Sequence, residues 1–241
     1  MVLYTTMLAS GILAALLLLH PALQRTRAGK EPFHSTATLD SGIACTLAGL
    51  AGGRVFFILF HTAYYSRVPG EILQFWLGGM DWFGTILGVL MAAAVRARFS
   101  PTGFLRLCDR LSIPAFIVTF SHYIGCLLGN CMAGAEAGFL SFLPVTTDLL
   151  GMSAHRWPSA ILAALAVIPA TWAIQRLHTD IAGLKAALTL SLLSAIHLAT
   201  SLTLGPPSLF WKGIRLDTIE TSVVLFLSLL AALLISNTTR K

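Results

Sequence analysis

The segment SHYIGCLLGNCMAGAEAG, residues 121–138, ends an apolar run and places glycines, cysteines and an asparagine where a membrane-spanning helix needs only aliphatic side chains. The chain around it is strongly apolar. Of 241 residues, 56% are hydrophobic and 11% are charged, whereas about 25% are charged in an ordinary globular protein. Such a chain is suited to lipid rather than to water. We therefore expect an all-α, polytopic membrane protein that forms a single integral-membrane domain over residues 1–241.

Seven apolar segments follow one another along the chain, and each is close to the roughly 20 residues that cross a bilayer. Their approximate bounds are 2–24, 38–63, 74–95, 107–129, 158–175, 183–204 and 217–236. The first has no positively charged start and is longer than the apolar core of a secretory signal, so we interpret it as a span. The sequence thus predicts seven transmembrane helices.

Basic residues are unevenly divided between alternate connections. Eleven follow the odd-numbered segments: Arg25, Arg27, Lys30, Arg96, Arg98, Arg106, Arg110, Arg176, Lys185, Arg240 and Lys241. Four lie in the other connections: Arg67, Arg156, Lys212 and Arg215. Because cytoplasmic loops carry the basic excess, we expect the N-terminus outside, the C-terminus in the cytoplasm and an outer-side loop at about 130–157. The net charge of +6 then reflects topology rather than a surface for nucleic acid.

Two ionisable residues lie within or close to the apolar segments. Arg54 stands in the middle of the second segment, and Asp81 is near the outer end of the third. Charges at membrane depth are costly unless they face protein, water or headgroups. Arg54 is therefore a snorkelling residue, a partner of Asp81 in an ion pair, or a ligand for an anionic headgroup, and the sequence leaves these alternatives open.

Glycines recur four residues apart at Gly84 and Gly88 and at Gly125 and Gly129, a spacing that lets helices approach closely. We expect the helix to end near Gly125, where backbone N–H groups would be free for a ligand.

Cys126 and Cys131 stand at the outer boundary, where a disulfide is chemically possible. If the helix continues through Cys131, five residues is a poor spacing for pairing, so we favour free thiols. No cluster with the spacing of a metal site is present, and we expect neither a metal nor a cofactor.

Four motifs, in this order, carry a resemblance to a known family: GGRVFF at 52–57, GGMDWFGTILGVL at 78–90, HYIGCLLGNCMAG at 122–134 and WPS at 157–159. Together with the seven segments they resemble the bacterial prolipoprotein diacylglyceryl transferase family. The matching positions are Arg54, Gly79, Met80, Gly84, Gly88, Gly125 and Gly134, with Tyr4 early in the first segment where the family has a tyrosine.

The resemblance implies a transferase of the bacterial cytoplasmic (inner) membrane. Such an enzyme moves the diacylglyceryl group of phosphatidylglycerol to the thiol of the lipobox cysteine in a prolipoprotein, and glycerol phosphate leaves. The implied partners are phosphatidylglycerol or another anionic phospholipid and the prolipoprotein signal peptide. A phosphate leaving group calls for cationic or N–H donors, and a thiol nucleophile needs a base or a positive environment.

Three positions depart from the family pattern. Tyr123, preceded by His122, stands where the family has an arginine, Phe83 stands where it has a histidine, and His197 lies at or near a second arginine. We expect His122 and His197 to take the catalytic roles, although both could instead be polar residues that bridge helices.

The expected lipid-binding residues are Arg54, Tyr123, Gly125, Asn130 and Tyr4, and the motif glycines are Gly79, Gly84, Gly88 and Gly134. The alternative function is that of a relative that binds lipid or lipopeptide without catalysis, because the family's arginine and histidine are lost.

Overall fold

The computed structural model describes residues 2–20, 35–75, 78–99, 103–138, 142–147, 151–205 and 209–238. Five basic residues of the orientation argument lie outside these ranges: Arg25, Arg27, Lys30, Arg240 and Lys241. The described helices, in chain order, are α1 (Val2–Leu19), α2 (Ser35–Phe60), α3 (Thr62–Tyr65), α4 (Trp82–Arg98), α5 (Phe104–Gly129), α6 (Ser159–Arg176), α7 (Leu184–Ser201) and α8 (Leu216–Thr238), with a 3-10 turn at Pro69–Glu71.

Within the described ranges, six helices are long and apolar enough to cross a membrane: α1, α2, α5, α6, α7 and α8. The protein is thus mostly helical and polytopic in character. The third predicted segment forms α4, which has 17 residues and begins at Trp82 rather than near 74. The later start follows from local chemistry, because the Asp81 carboxylate accepts a hydrogen bond from the Gly84 N–H at 2.7 Å and caps the helix.

Two short hairpins, which the apolar pattern does not predict, add β-structure to the helices. The strands are β1 (Val145–Thr147) with β2 (Ser153–His155), and β3 (Phe210–Trp211) with β4 (Ile214–Arg215), both pairs antiparallel. Isolated bridges join Gly134 to Leu204 and Glu136 to Arg156. Arg156 is buried and forms an ion pair with Glu136 at 2.9 Å. Residues 133–135 pair with residues 203–205, which belong to the connection between α7 and α8.

The helices α2 and α4 pack through their glycines. A Cβ added at Gly88 would clash with the carbonyl oxygen of Ala48, and one added at Gly84 would lie 2.5 Å from that of Gly52. Because the obstructing atoms belong to the backbone, the spacing of Gly84 and Gly88 serves close helix packing, as the small-residue pattern indicates.

The largest buried cluster lies between α5, α6 and α7: Phe116, Tyr123, Ala163, Ala164, Val167, Ala170, Ile174 and Leu193. The helix α8 is held to α7 by a hydrogen bond of 2.9 Å between the hydroxyls of Ser191 and Ser228. Large apolar side chains such as Phe226 and Leu233 face outward. This distribution, with small and polar groups between helices and aliphatic ones outside, fits a lipid environment.

Candidate functional site

A cavity of about 580 Å³ lies between α1, α2, α4, α5, α7 and α8. Its lining is mostly apolar, and its polar residues come from near the starts of α1, α4 and α8 and near the ends of α2, α5 and α7. They include Tyr4, His61, Asp81, His122, Tyr123, His197, Arg215, Asp217 and Glu220. A cavity of this size with a few convergent polar groups is typical of a small-molecule or cofactor site.

The first polar pair joins α1 to α5. The Tyr4 hydroxyl lies 3.2 Å from Nδ1 of His122, and the two rings meet edge to face with centroids 5.8 Å apart. Gly125 and Gly129 allow this approach, because a Cβ at Gly125 would lie 3.1 Å from the backbone oxygen of Tyr4. The other ring nitrogen of His122, Nε2, lies 4.0 Å from Sγ of Cys126.

The second polar pair joins α5 to α7. The Tyr123 hydroxyl lies 3.3 Å from Nδ1 of His197. His197 stacks on the indole of Trp82 with centroids 4.9 Å apart and an interplanar angle of 12°. Among the described residues, Nε2 of His197 has no hydrogen-bond partner. The stacking of Trp82 on His197 was not predicted from the sequence.

Three acidic residues and an arginine complete the polar lining. The carboxyl groups of Asp81 and Glu220 are neighbours in this lining, and Oε1 of Glu220 is buried with no hydrogen-bond partner in the described part of the chain. Arg215 makes a two-pronged ion pair with Asp217, with Nε and Nη2 at 3.1 and 3.0 Å from the carboxylate oxygens. The cation is thereby neutralised within the cavity.

Neither Asp217 nor Glu220 was predicted from the sequence as a site residue. The stretch IRLDTIE at 214–220 could have indicated them, because it places two acidic residues three apart at the start of the last apolar segment. Residues three apart share a helix face.

Arg54 is buried and faces away from the cavity lining. Its guanidinium donates to four carbonyl oxygens, those of Glu71, Ile72, Gly78 and Gly79. It therefore holds the connection between α2 and α4, and within the described residues it makes neither an ion pair with Asp81 nor an exposed contact, since it is 3% exposed.

The end of α5 differs from the prediction. The helix continues to Gly129, and Asn130 caps it in the left-handed conformation with φ of 53°. The N–H groups of Asn130 and Cys131 both donate to the Cys126 carbonyl. The expectation of free N–H groups was therefore wrong, because a helix C-terminus leaves carbonyls unpaired and not N–H groups. Asn130 is exposed and is absent from the cavity lining.

Cys126 and Cys131 form a disulfide with their Cα atoms 4.8 Å apart. The expectation of free thiols was wrong because it assumed a helix through Cys131. The left-handed residue at Asn130 turns the chain back, and Cys131 then lies beside the last helical turn. Cys45 and Cys108 are free and pack in the core.

A family model described as prolipoprotein diacylglyceryl transferase matches residues 1–233. The chain belongs to this family. Curated relatives carry the name phosphatidylglycerol–prolipoprotein diacylglyceryl transferase. That of Fusobacterium nucleatum is 39% identical over 98 residues, which are 41% of this chain and 33% of that protein.

Two further relatives of the same name match longer segments. The protein of Nitratidesulfovibrio vulgaris is 46% identical over 143 residues, 56% of this chain and 52% of that protein. That of Aromatoleum aromaticum is 32% identical over 150 residues, 60% of this chain and 53% of that protein. The chain thus spans about half the length, or less, of these curated relatives.

Two of the three departures from the family pattern are in direct contact. Tyr123, expected at the position of one family arginine, and His197, expected at or near a second, form the second polar pair. Phe83, at the position of the motif histidine, instead packs edge-on against Phe56 with centroids 5.6 Å apart. Of the site residues expected from the sequence, Tyr4, His122, Tyr123 and His197 line one cavity, whereas Arg54 and Asn130 are absent from its lining.

Proposed function

We propose that the protein transfers the diacylglyceryl group of phosphatidylglycerol to the lipobox cysteine thiol of a prolipoprotein in the bacterial cytoplasmic membrane. The observation that carries the proposal is the cavity. In it, two tyrosine–histidine pairs meet at the motif of residues 122–134, in a chain that belongs to the diacylglyceryl transferase family. We also propose seven spans, with α4 as the seventh, the N-terminus outside and the C-terminus in the cytoplasm. The alternation of helix starts and ends around the cavity supports this topology.

The reaction forms one bond and breaks one. The thiol sulfur bonds to the glyceryl carbon that carries the phosphate oxygen, and the carbon–oxygen bond breaks with its electrons passing to the leaving glycerol phosphate. The thiol proton must pass to a base, because the thiolate is the effective nucleophile.

We assign the base to Nε2 of His197. The Tyr123 hydroxyl lies 3.3 Å from Nδ1 of His197. In the proposed catalytic form Nδ1–H donates to the Tyr123 oxygen, which leaves the lone pair on Nε2. A base held in one tautomer by a neighbouring group is the usual arrangement for proton abstraction.

We assign the binding of the leaving group to Arg215, the arginine of the described cavity lining. Glycerol phosphate gains negative charge as the carbon–oxygen bond breaks, and a guanidinium stabilises that charge where it develops. Asp217 holds Arg215 in place, and the phosphate must share the guanidinium with this carboxylate. Tyr4 and Gly125 position the first polar pair beside the lipid.

The test combines complementation with an assay in vitro. The protein is expressed in a strain depleted of its own diacylglyceryl transferase, and the purified protein is incubated with phosphatidylglycerol vesicles and a lipobox peptide. We expect growth and a thioether product detected by mass spectrometry. His197→Gln should lower the rate about 100-fold, whereas the matched control His155→Gln, outside the cavity lining, should not change it. A stably inserted protein that gives neither growth nor product would overturn the proposal.

A second candidate function is supported by the charges. The cavity lining that is described contains one arginine, and it is neutralised by Asp217, while Arg54 is engaged by backbone carbonyls. A relative that binds lipid or lipopeptide without turnover would fit this balance. Saturable binding of the lipobox peptide or of phosphatidylglycerol, with no thioether product at any substrate concentration, would favour this second function.

A further inference from the structure

We propose that the disulfide between Cys126 and Cys131 is a thiol–disulfide exchange site that reacts with thiol-bearing molecules. An external thiol attacks the sulfur of Cys131, and Cys126 leaves under a hydrogen bond from His122. The inference stands on the geometry of this segment and is independent of the transferase proposal.

The two sulfurs differ in access. Cys131 lies beyond the helix end and is exposed, whereas Cys126 is in the last turns of α5 and is 3% exposed. Thiol–disulfide exchange requires in-line approach to one sulfur, and its rate depends on which sulfur can be reached. The incoming thiol therefore reaches Cys131, and Cys126 is the leaving sulfur.

The leaving sulfur faces a placed donor. Nδ1 of His122 accepts from the Tyr4 hydroxyl 3.2 Å away, because the disulfide sulfur of Cys126 carries no hydrogen and the donor that faces it must be Nε2–H. That atom lies 4.0 Å from Sγ of Cys126. A hydrogen bond from Nε2–H to the departing thiolate stabilises it, and a stabilised thiolate leaves faster. Tyr4 is thus a positioning residue, because it fixes which nitrogen faces the sulfur.

Two external thiols reduce the protein disulfide in two steps. The attacking thiol loses its proton to water, its sulfur bonds to Cys131 and the Cys126–Cys131 bond breaks, with the electron pair on Cys126. Cys126 then takes up a proton. A second external thiol attacks the mixed disulfide on Cys131 and releases a disulfide of the two external thiols. The protein pair is reduced to two thiols, and two external thiols are oxidised.

The first test measures exchange in the purified full-length chain, using reduced and oxidised glutathione as probes. Differential alkylation followed by mass spectrometry reports each cysteine separately, and the free Cys45 and Cys108 are internal references. We expect reduced glutathione to open the pair and oxidised glutathione to restore it. His122→Asn should slow opening at least about tenfold, less than the roughly 100-fold of a well-placed acid or base, because Nε2 lies 4.0 Å from the sulfur.

His61→Asn is the matched control, because His61 lines the same cavity and has no contact with either sulfur in the described structure. It should stay within about twofold of the unaltered protein, consistent with a role confined to His122. Three results would overturn the proposal: a pair that resists glutathione, cysteines that are already free in the purified protein, or equal rates for His122→Asn and His61→Asn.

A second test does not depend on the folding of the histidine variants. Cys126→Ala and Cys131→Ala each leave one thiol of the pair, and the rate of adduct formation with oxidised glutathione is measured for both. We expect Cys131 in the first variant to react at least about tenfold faster than Cys126 in the second, because reactivity follows access. Equal rates would refute the assignment of the attacked sulfur. Neither test uses transferase activity, so each proposal can fail alone.

Discussion

Arg54 offers the sharpest test of how the site is held together, because its charge and its shape can be separated by one substitution. Lysine keeps the positive charge of Arg54 but lacks the planar fork that reaches several acceptors at once. In the structure the fork serves the carbonyl oxygens of Glu71, Ile72, Gly78 and Gly79. The backbone between α2 and α4 is therefore fixed by geometry.

The size of the effect follows from the number of hydrogen bonds. A hydrogen bond to a charged group contributes roughly 1.5–3 kcal/mol, and a lysine at this position can satisfy about half of the four carbonyls. We expect Arg54→Lys to lower the free energy of unfolding by about 3 kcal/mol and Arg54→Ala by about 4 kcal/mol, since water replaces some of the lost donors. For a chain of this length, 3 kcal/mol corresponds to a fall in Tm of about 10 °C.

The assay is thermal unfolding of the purified protein in detergent, with and without phosphatidylglycerol. Arg67→Ala is the matched control, because Arg67 is exposed in the same connection and should change stability by less than about 0.5 kcal/mol. The reasoning is refuted if Arg54→Lys is as stable as the unaltered protein. It is also refuted if Arg54→Ala keeps its stability but loses the protection given by phosphatidylglycerol, since Arg54 would then be a headgroup ligand.

Three further substitutions test the packing and the charges. Gly88→Ala should cost about 1–3 kcal/mol in thermal unfolding because the new Cβ meets backbone of α2, whereas Gly138→Ala, with open space around it, should be neutral. Asp217→Asn should tighten phosphatidylglycerol binding about tenfold, measured by vesicle co-sedimentation, because Arg215 is released; unchanged affinity would exclude Arg215 as the headgroup ligand. Glu220→Gln should leave stability within about 1 kcal/mol, because it keeps the shape of the side chain and removes the repulsion between the neighbouring carboxyl groups of Glu220 and Asp81; a larger loss of unfolding free energy would show that the acid itself is required.

Hydropathy was sufficient for the class of the fold but not for the boundaries of its elements. The apolar pattern predicted a helical membrane protein, and six long apolar helices are present. The same pattern placed the start of the third segment near 74. In the structure a 3-10 turn at Pro69–Glu71 precedes that position, and the helix begins only after Asp81. Hydropathy sums over a window and does not register the single carboxylate that caps a helix.

Site residues that lie in sequence motifs were easier to predict than those whose role depends on packing between helices. His122, Tyr123 and His197 were identified from the signature segment and its resemblance, and they line one cavity. Trp82 and Glu220 were missed because their roles depend on neighbours from other helices. The disulfide was missed because it depends on one left-handed residue, Asn130, which a helical pattern does not reveal.

The contact between Tyr123 and His197 changes what the lost arginines mean. Considered one at a time, each departure from the family motif removes a cation, and the two together suggest a decayed site. In the structure the two positions are 74 residues apart in sequence and hydrogen-bonded at 3.3 Å. Two guanidinium groups in that contact would repel each other unless an anion lay between them, whereas a tyrosine and an imidazole satisfy each other without one. The pair therefore keeps its polar connection in the absence of lipid, and in our proposal an anionic headgroup binds Arg215, the arginine of the described cavity lining, beside the carboxylate that holds it.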